Sequence, residues 1–338
     1  MTLQWLWFVL VGVLLTGYAV LDGFDLGAGV LYPFIARTDG EKQEIRAAIG
    51  PVWDGNEVWL LTGGGALFAA FPAVYASTFS GFYLAIMLVL FGLILRAVSL
   101  EYRGRDAAFA KLWDVAFFVG SLVPALLVGV AVGNVIRGVP LDTDGNYTGT
   151  FLGLLNWYSL LIGLLGLCAL VTHGAAWLAL KTDDPVQSRA IKVRGIAQIV
   201  CVLLFVLATV ATLFEAPRAS DNVFGAWYGW LSVVVVLGAV VWARWGMVKN
   251  DHRTAFLGTA LTIIGVGGIF AVSNYPDMVP ARGTPEATSL TVSNSASGST
   301  TLTAMLIITI IGFPIVIGYM VFAYRTFRGK VQKAHGEY

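Results

Sequence analysis

Long apolar runs alternate with short polar connections along this chain. Nine runs, at 5–35, 53–76, 79–100, 113–136, 155–180, 195–215, 224–243, 254–273 and 301–323, are each long enough to approach or pass the ~20 apolar residues of a membrane-spanning helix. Between the second and third runs only Ala76, Ser77 and Thr78 remain, which predicts a tight turn there. The stretch 274–300, NYPDMVPARGTPEATSLTVSNSASGST, is rich in Pro, Ser, Thr and Asn and predicts an irregular loop. DTDGNYTGT at 142–150 predicts a turn-rich one.

Basic residues fall on alternate connections. Arg37, Lys42 and Arg46 lie between runs one and two, and Arg96, Arg103, Arg105 and Lys111 over 96–112. Lys181, Arg189, Lys192 and Arg194 lie over 181–194, and Arg244, Lys249 and Arg253 over 244–253. Arg325, Arg328, Lys330 and Lys333 close the chain, and of the 21 basic residues only Arg137, Arg218 and Arg282 occupy the intervening loops. Lys and Arg mark the cytoplasmic side, so the pattern predicts a multi-pass protein with its N-terminus outside and its C-terminus in the cytoplasm. Tryptophans at run edges (Trp5 and Trp7, Trp227 and Trp230, Trp242 and Trp245) fit interfacial belts.

Composition agrees. The chain is 57% hydrophobic and 12% charged, against about 25% charged in soluble domains, and its mean hydropathy is +0.78. The net charge of +1 says little about partners, and nothing points to nucleic acid. MTLQWLWFVL has no basic leader and no small-residue cleavage signal, so it reads as a retained helix. Cys168 and Cys201 both sit in apolar runs, without a CxxC or disulfide pattern, and read as packing residues.

Candidate chemistry begins in the first run. GYAVLDGFDLGAG (17–29) carries Asp22 and Asp25 three residues apart, on one helix face, with no base in the segment. Intramembrane acids are costly and usually face a bundle interior or a proton route. The run is about 46 Å long as helix, which places Asp22 about 4–20 Å beneath the cytoplasmic surface. The competing reading is that both acids only satisfy backbone amides of a glycine-broken helix. Gly23 and Gly27 form a GxxxG spacing suited to close helix approach, and GGGALFAA at 63–70 reads as small-residue packing too. The second run opens GPVWDGNEVW (50–59), where Asp54 and Glu57 repeat the i, i+3 spacing with Asn56 between them and Trp53 alongside. With a short connection between runs one and two, Asp22, Asp25, Asp54 and Glu57 can converge near the cytoplasmic face. The alternative is that Asp54 and Glu57 simply answer the positive end of a helix dipole.

Redox ligands are scarce. Only His173 of the three histidines lies in a span, and it reads as a packing residue; His252 and His335 lie in a loop and the tail. Met87, Met305 and Met320 are too scattered for a haem ligand set. No Cys/His cluster suggests a metal, so a cofactor in any chemistry here would come from a partner.

GYAVLDGFDLGAG, followed by GPVWDGNEVWLLTGGGALFAAFPAVYASTFSGFYLA, closely resembles subunit II of the cytochrome bd quinol oxidases. LEYR (100–103), WDVAFFVGSLVPALLVGVAVGN (113–134) and SLTVSNSAS (289–297) extend the likeness over most of the chain. The resemblance implies one integral membrane domain over 1–338: a four-helix bundle in 1–136, a second in 155–273, an outer loop at 274–300 and a peripheral ninth helix at 301–323. It implies an obligate heterodimer with a subunit I that carries two haems b and one haem d, in a bacterial cytoplasmic membrane. That complex oxidises quinol on the outer face and reduces oxygen to water with cytoplasmic protons, while subunit II binds no haem and no metal and is not catalytic alone. Asp25 and Asp54 match acids assigned to a proton-input path, and Trp53 belongs to the same motif. Asp22 and Glu57, beside them, receive no asserted role. Some members hold a structural quinone within subunit II, and small single-helix accessory subunits are further candidate partners. Some members carry an acid where Asn294 stands here. The rival reading is a proton-coupled secondary transporter, against which stand the lack of a clear inverted repeat and of a base paired with the acids.

Overall fold

The computed structural model describes residues 2–105, 108–283 and 286–331. Lys333 and His335 lie outside the described residues. In chain order the helices are α1 (Leu3–Ile35), α2 (Asp39–Ile49), α3 (Trp53–Ala70), α4 (Pro72–Gly81), α5 (Tyr83–Tyr102), α6 (Ala110–Arg137), α7 (Trp157–Lys181), α8 (Val186–Glu215), α9 (Pro217–Gly225), α10 (Trp227–Val248), α11 (His252–Asn274) and α12 (Ser299–Thr326). Two short strands, β1 (Asp277–Val279) and β2 (Leu290–Thr291), pair antiparallel. Among the described residues eight helices are long and apolar enough to cross a membrane: α1, α5, α6, α7, α8, α10, α11 and α12. The chain is a multi-pass membrane protein.

The run at 53–76 departs from the expected single helix. It breaks at Phe71 (φ −136°, ψ 67°), because Pro72 disfavours helical geometry in the residue before it. The turn expected at 76–78 accordingly falls later, where α4 ends and α5 begins at Phe82. α3 also carries Asp54, Asn56 and Glu57 in its first turns, and it is not among the eight. The broken end is received by the outer loop: Ser297 donates through its N–H to Ala70 O (2.8 Å) and through its hydroxyl to Ala69 O (2.6 Å). These are carbonyls that a helix C-terminus leaves without partners.

α1 is central. Small residues let its neighbours come close, as the GxxxG spacing predicts. Gly23 and Gly27 both face Leu170 of α7, and Gly27 meets Gly174 backbone to backbone. Gly29 faces Ser121 of α6, and Gly17 faces Trp59 of α3. Of the triplet at 63–65 only Gly63 is closely packed, against Leu15, while Gly64 and Gly65 face open space. A Cβ on Gly174 would stand 2.5 Å from Ala28 N and 2.7 Å from Gly27 Cα, all backbone that side-chain rotation cannot relieve. Gly174→Ala should therefore destabilise the chain by about 1–3 kcal/mol, read as a lower Tm of the detergent-solubilised protein; an unchanged Tm would show that α1 and α7 slide freely.

α12 lies at the edge, with only Leu302 and Met320 buried along its length. Trp7 Nε1 donates to Leu302 O (3.0 Å) at one end of this contact, and Tyr324 reaches Asn56 at the other. The face with the basic connections also carries α2, an amphipathic helix absent from the apolar pattern. Its signal is the capping pair in TDGEKQEIRAAIG: Thr38 Oγ1 accepts the Glu41 N–H, and Ile45, Ala48 and Ile49 turn inward. Arg189 donates to Glu41 at 2.6 Å and holds that carboxyl below its usual range, pinning α2 to α8. On the opposite face the loop at 142–150 folds on Asp142, whose Oδ1 accepts the N–H groups of Asp144 and Asn146.

Candidate functional site: a buried acid cluster with one guanidinium

The acids of the first run meet α3 and α5 in the interior. α1 is continuous here and contributes Asp22 and Asp25, both fully buried. Asn56, one turn into α3, donates from Nδ2 to Asp25 Oδ2 at 2.8 Å and accepts on Oδ1 from the Tyr324 hydroxyl at 2.9 Å. These two bonds fix which way the amide points. They also join α1, α3 and α12 in one polar thread.

Asp22 has a base. Arg96 of α5 is fully buried, with Nη2 2.7 Å from Asp22 Oδ1 and 2.8 Å from Glu57 Oε2. This corrects two expectations. Arg96 is not a surface residue of a basic loop, and the acids do not lack a cation. The local run LILRAVSL holds the missed signal, a lone base just inside an apolar segment. Glu57 keeps 24% of its side chain exposed, so it connects the buried pair to the surface. Tyr18 lies beside Asp22, and Trp59 of α3 packs on Gly17.

Several polar atoms here have no protein hydrogen-bond partner: Asp25 Oδ1, Trp59 Nε1, and Nε and Nη1 of Arg96. Buried polar groups are ordinarily satisfied by protein or ordered water, so this cluster is polar beyond what its own side chains pair. One guanidinium ion-pairs with two carboxylates while a third, Asp25, is held by Asn56, so the cluster is neither a closed ion pair nor an apolar packing seam. The competing expectation that the acids satisfy backbone amides is not what the geometry shows: Asp25 accepts from a side-chain amide and Asp22 ion-pairs with a guanidinium.

Asp54 and Trp53 are placed differently. Asp54 is exposed on the first turn of α3 and Trp53 is half-buried. Of the four sequence-predicted acids, α1 and α3 thus bring Asp22, Asp25 and Glu57 together around Asn56 and Arg96, and leave Asp54 on the outer wall of the chain.

A second ionic centre lies nearer the basic face. Asp114, at the start of α6, accepts from Tyr32 (2.7 Å), Lys42 (2.7 Å) and Arg103 (2.7 Å), and Arg103 reaches on to Asp39 (2.7 Å). It ties α1, α2, α5 and α6 together and accounts for two motif residues, the Arg of LEYR and the Asp of WDVAFF. Asn294 likewise acts through its amide: Oδ1 accepts from Thr291 N (2.7 Å) while Nδ2 donates to Ser289 O (2.9 Å), a pairing that a carboxylate could not reproduce.

His173 is buried with both ring nitrogens engaged, Nδ1 with Thr259 Oγ1 (2.8 Å) and Nε2 with Val20 O (3.0 Å), and its ring stacks on Phe256. That is a packing histidine. Among the described residues no group of three or more His, Cys, Asp or Glu is arranged to hold a metal ion.

The family model for cytochrome bd terminal oxidase subunit II matches residues 3–327. A probable cytochrome oxidase subunit 2 of Haemophilus influenzae is 40% identical, over 97% of this chain and 95% of the relative. Cytochrome bd-I ubiquinol oxidase subunit 2 of Escherichia coli is 35% identical, over 98% and 96% respectively. Cytochrome bd ubiquinol oxidase subunit 2 of Bacillus subtilis is 35% identical, over 96% of each. A chain from the structure of the bd oxidase of Geobacillus thermodenitrificans shares the fold, with a TM-score of 0.81 at 18% identity over 97% of this chain and 99% of that one.

Proposed function

The chain belongs to the cytochrome bd terminal oxidase subunit II family, and from that membership we propose that it is the haem-free second subunit of a quinol:oxygen oxidoreductase in a bacterial cytoplasmic membrane. Its partner is a subunit I bearing two haems b and one haem d, where quinol is oxidised and oxygen reduced to water. This chain stabilises that partner and supplies a cytoplasmic proton-input path through Asp25 and Asp54. A structural quinone and small single-helix subunits complete the candidate assembly.

The observation that carries the proton role is the cluster itself. Asp25 is fully buried, holds one hydrogen bond from Asn56 and leaves Oδ1 open. Asp22, Glu57 and Arg96 set a charged environment around it, and Glu57 opens that environment to the surface. Asp54 stands on a wall where α3 otherwise exposes the apolar Val58, Leu61 and Phe68, with Gly65 and with Thr62, whose hydroxyl turns back to donate to Val58 O (2.9 Å). A carboxylate on such a wall is costly against lipid, so this face is the one we assign to subunit I. Asp54 then hands protons across the subunit boundary.

The same reading takes nine crossings in two four-helix bundles, with α12 peripheral. α3 is the ninth crossing. It is about 27 Å long and runs from the level of Asp25 to the outer loop at Ser297. Alternation from α1 then puts the N-terminus outside and the C-terminus inside.

The test is gentle extraction of the C-terminally tagged chain from its native membrane. A reduced-minus-oxidised spectrum with haem b and d signals, together with a second, His-bearing membrane chain, is the expected result. A colourless single chain that transports a proton-coupled solute in liposomes would overturn the oxidase reading.

A further inference from the structure

Among the described residues Asp25 has one hydrogen-bond donor, and that donor has a second residue behind it. Asn56 donates from Nδ2 to Asp25 Oδ2 (2.8 Å) and accepts on Oδ1 from the Tyr324 hydroxyl (2.9 Å). Asn56 is fully buried, so neither end of its amide can turn to bulk water.

Tyr324 comes from the edge of the fold. α12 exposes an apolar surface that includes Ile307, Ile308, Ile311 and Ile315. Thr303 and Thr309 spend their hydroxyls on carbonyls of their own helix, Ser299 O (2.8 Å) and Met305 O (2.9 Å), and Tyr319 is exposed. Tyr324 turns inward instead. Its ring meets Trp177 of α7 edge to face, with centroids 6.2 Å apart, and Trp177 Nε1 donates to Ala48 O (3.0 Å). Just beyond, Lys181 Nζ donates to Phe327 O and Gly329 O, and Lys330 pairs with Asp183 (2.7 Å). The end of α12 is thereby fastened to the end of α7, and the hydroxyl is held at the amide.

The consequence is electrostatic. The groups facing Asp25 are Asp22 of α1, Glu57 of α3, Arg96 of α5 and Tyr324 itself. α7 brings His173 to α1, with both ring nitrogens engaged. Two like charges against one opposite charge leave the ionised carboxylate dependent on its bond from Asn56. An amide can face a carboxyl group in two ways. With Nδ2 forward it donates and favours the ionised acid; with Oδ1 forward it only accepts and favours the protonated one. Donation from Tyr324 occupies Oδ1 and, because linked hydrogen bonds polarise one another, strengthens Nδ2 as a donor. We propose that Tyr324 is a positioning residue for the proton path: acting through Asn56, it keeps Asp25 ready to accept a proton from the cytoplasmic side. The inference rests on the proton-path reading of Asp25, and it gives the otherwise peripheral α12 a part in that path.

Tyr324→Phe keeps the ring against Trp177 and removes only the hydroxyl. Oxygen consumption by the intact solubilised complex is followed against pH at saturating quinol. The alkaline fall in turnover should move to higher pH by about half to one unit, the size of one hydrogen bond, because the donor that favours the ionised acid is weakened. Haem b and d content should stay at the wild-type level. In an Asp25→Asn background the same change should alter turnover no further. Asp25→Asn turning over at the wild-type rate would overturn the proton path and the role of Tyr324 together. A slow Asp25→Asn complex beside a Tyr324→Phe profile that superimposes on wild type, or that drops in height without moving, would overturn the role of Tyr324 alone. Loss of haem in Tyr324→Phe would make the hydroxyl an assembly contact and overturn it as well.

Discussion

Replacing Arg96 by leucine should destabilise the folded chain by about 3–5 kcal/mol, the usual consequence of stripping a buried charge of its partner. Asp22 is fully buried, and among the described residues the guanidinium is its one ion-pair partner, at 2.7 Å. Glu57 shares the same Nη2 but keeps 24% of its side chain exposed, so it can turn to water when Arg96 is lost. The damage should therefore run through Asp22. Adding Asp22→Asn to Arg96→Leu should restore much of the lost stability, because the orphaned charge goes with it. The readout is a double-mutant cycle on the Tm of the solubilised complex. Strict additivity of the two substitutions would show that Asp22 and Arg96 are independent, and the pair would lose its standing as one unit.

Arg96 also marks where the sequence stops being readable. The apolar runs locate the long helices because membrane length imposes about 20 residues per crossing whatever the tertiary contacts are. Errors arise where a polar residue is itself part of a helix. Arg96 and Arg194 count as loop cations by position, yet both are buried: Arg96 lies inside the third apolar run, and α8 begins nine residues before the run at 195. Their partners, Asp22 and His252, lie 74 and 58 positions away in the chain. No local spacing reports such a meeting. α2 escapes for the opposite reason: it lies outside the apolar runs and is visible only through its capping pair Thr38 and Glu41. The break of the second run was available in Pro72, a residue whose effect is local and backbone-driven.

Within the cluster, Asp22 and Asp25 share the buried face of α1, as their i, i+3 spacing implies, and Glu57 of α3 joins them through Arg96. The same spacing does not group Asp54 with Glu57, since the first turn of α3 lies at the edge of the chain, where Asp54 faces outward. The contrast between one enclosed acid and one exposed acid is more informative than four converging acids would have been. A transporter that opened and closed around a central proton site would need its acids on mobile elements. Here Asp25 is held by Asn56, itself held by Tyr324, and Gly27 locks α1 backbone to backbone on α7. A fixed relay fits a stationary proton conduit beside a redox partner better than it fits alternating access. The missing base, once an argument against the transporter, no longer counts, since Arg96 supplies one; what weighs against it is the family and this rigidity.

The proposed conduit makes the sharpest functional expectation. Asp54→Asn and Asp25→Asn should each lower quinol-driven oxygen consumption about a hundredfold, the lower end of the range for removing a proton-transferring group, while haem b and d signals stay at wild-type levels. The amide is nearly isosteric and cannot carry a proton at this position. Quinol KM should be unchanged, because the substrate is not touched. The two variants should differ in stability. Asp54 is exposed on this chain and has no hydrogen-bond partner among the described residues, so its substitution should leave the chain's own packing, read as Tm, alone. Asp25 accepts from Asn56 at 2.8 Å, and an amide in its place can keep that bond only by turning its oxygen to Asn56. Its amino group then takes the side of Oδ1, which faces no protein acceptor. A Tm drop of a few degrees in Asp25→Asn with full activity would make Asp25 a packing residue. Loss of the haem-bearing partner in Asp54→Asn would make that acid an assembly contact. Full haem with slow turnover in both variants leaves the relay as the reading that accounts for a buried acid, an exposed acid and the oriented amide between α1 and α3.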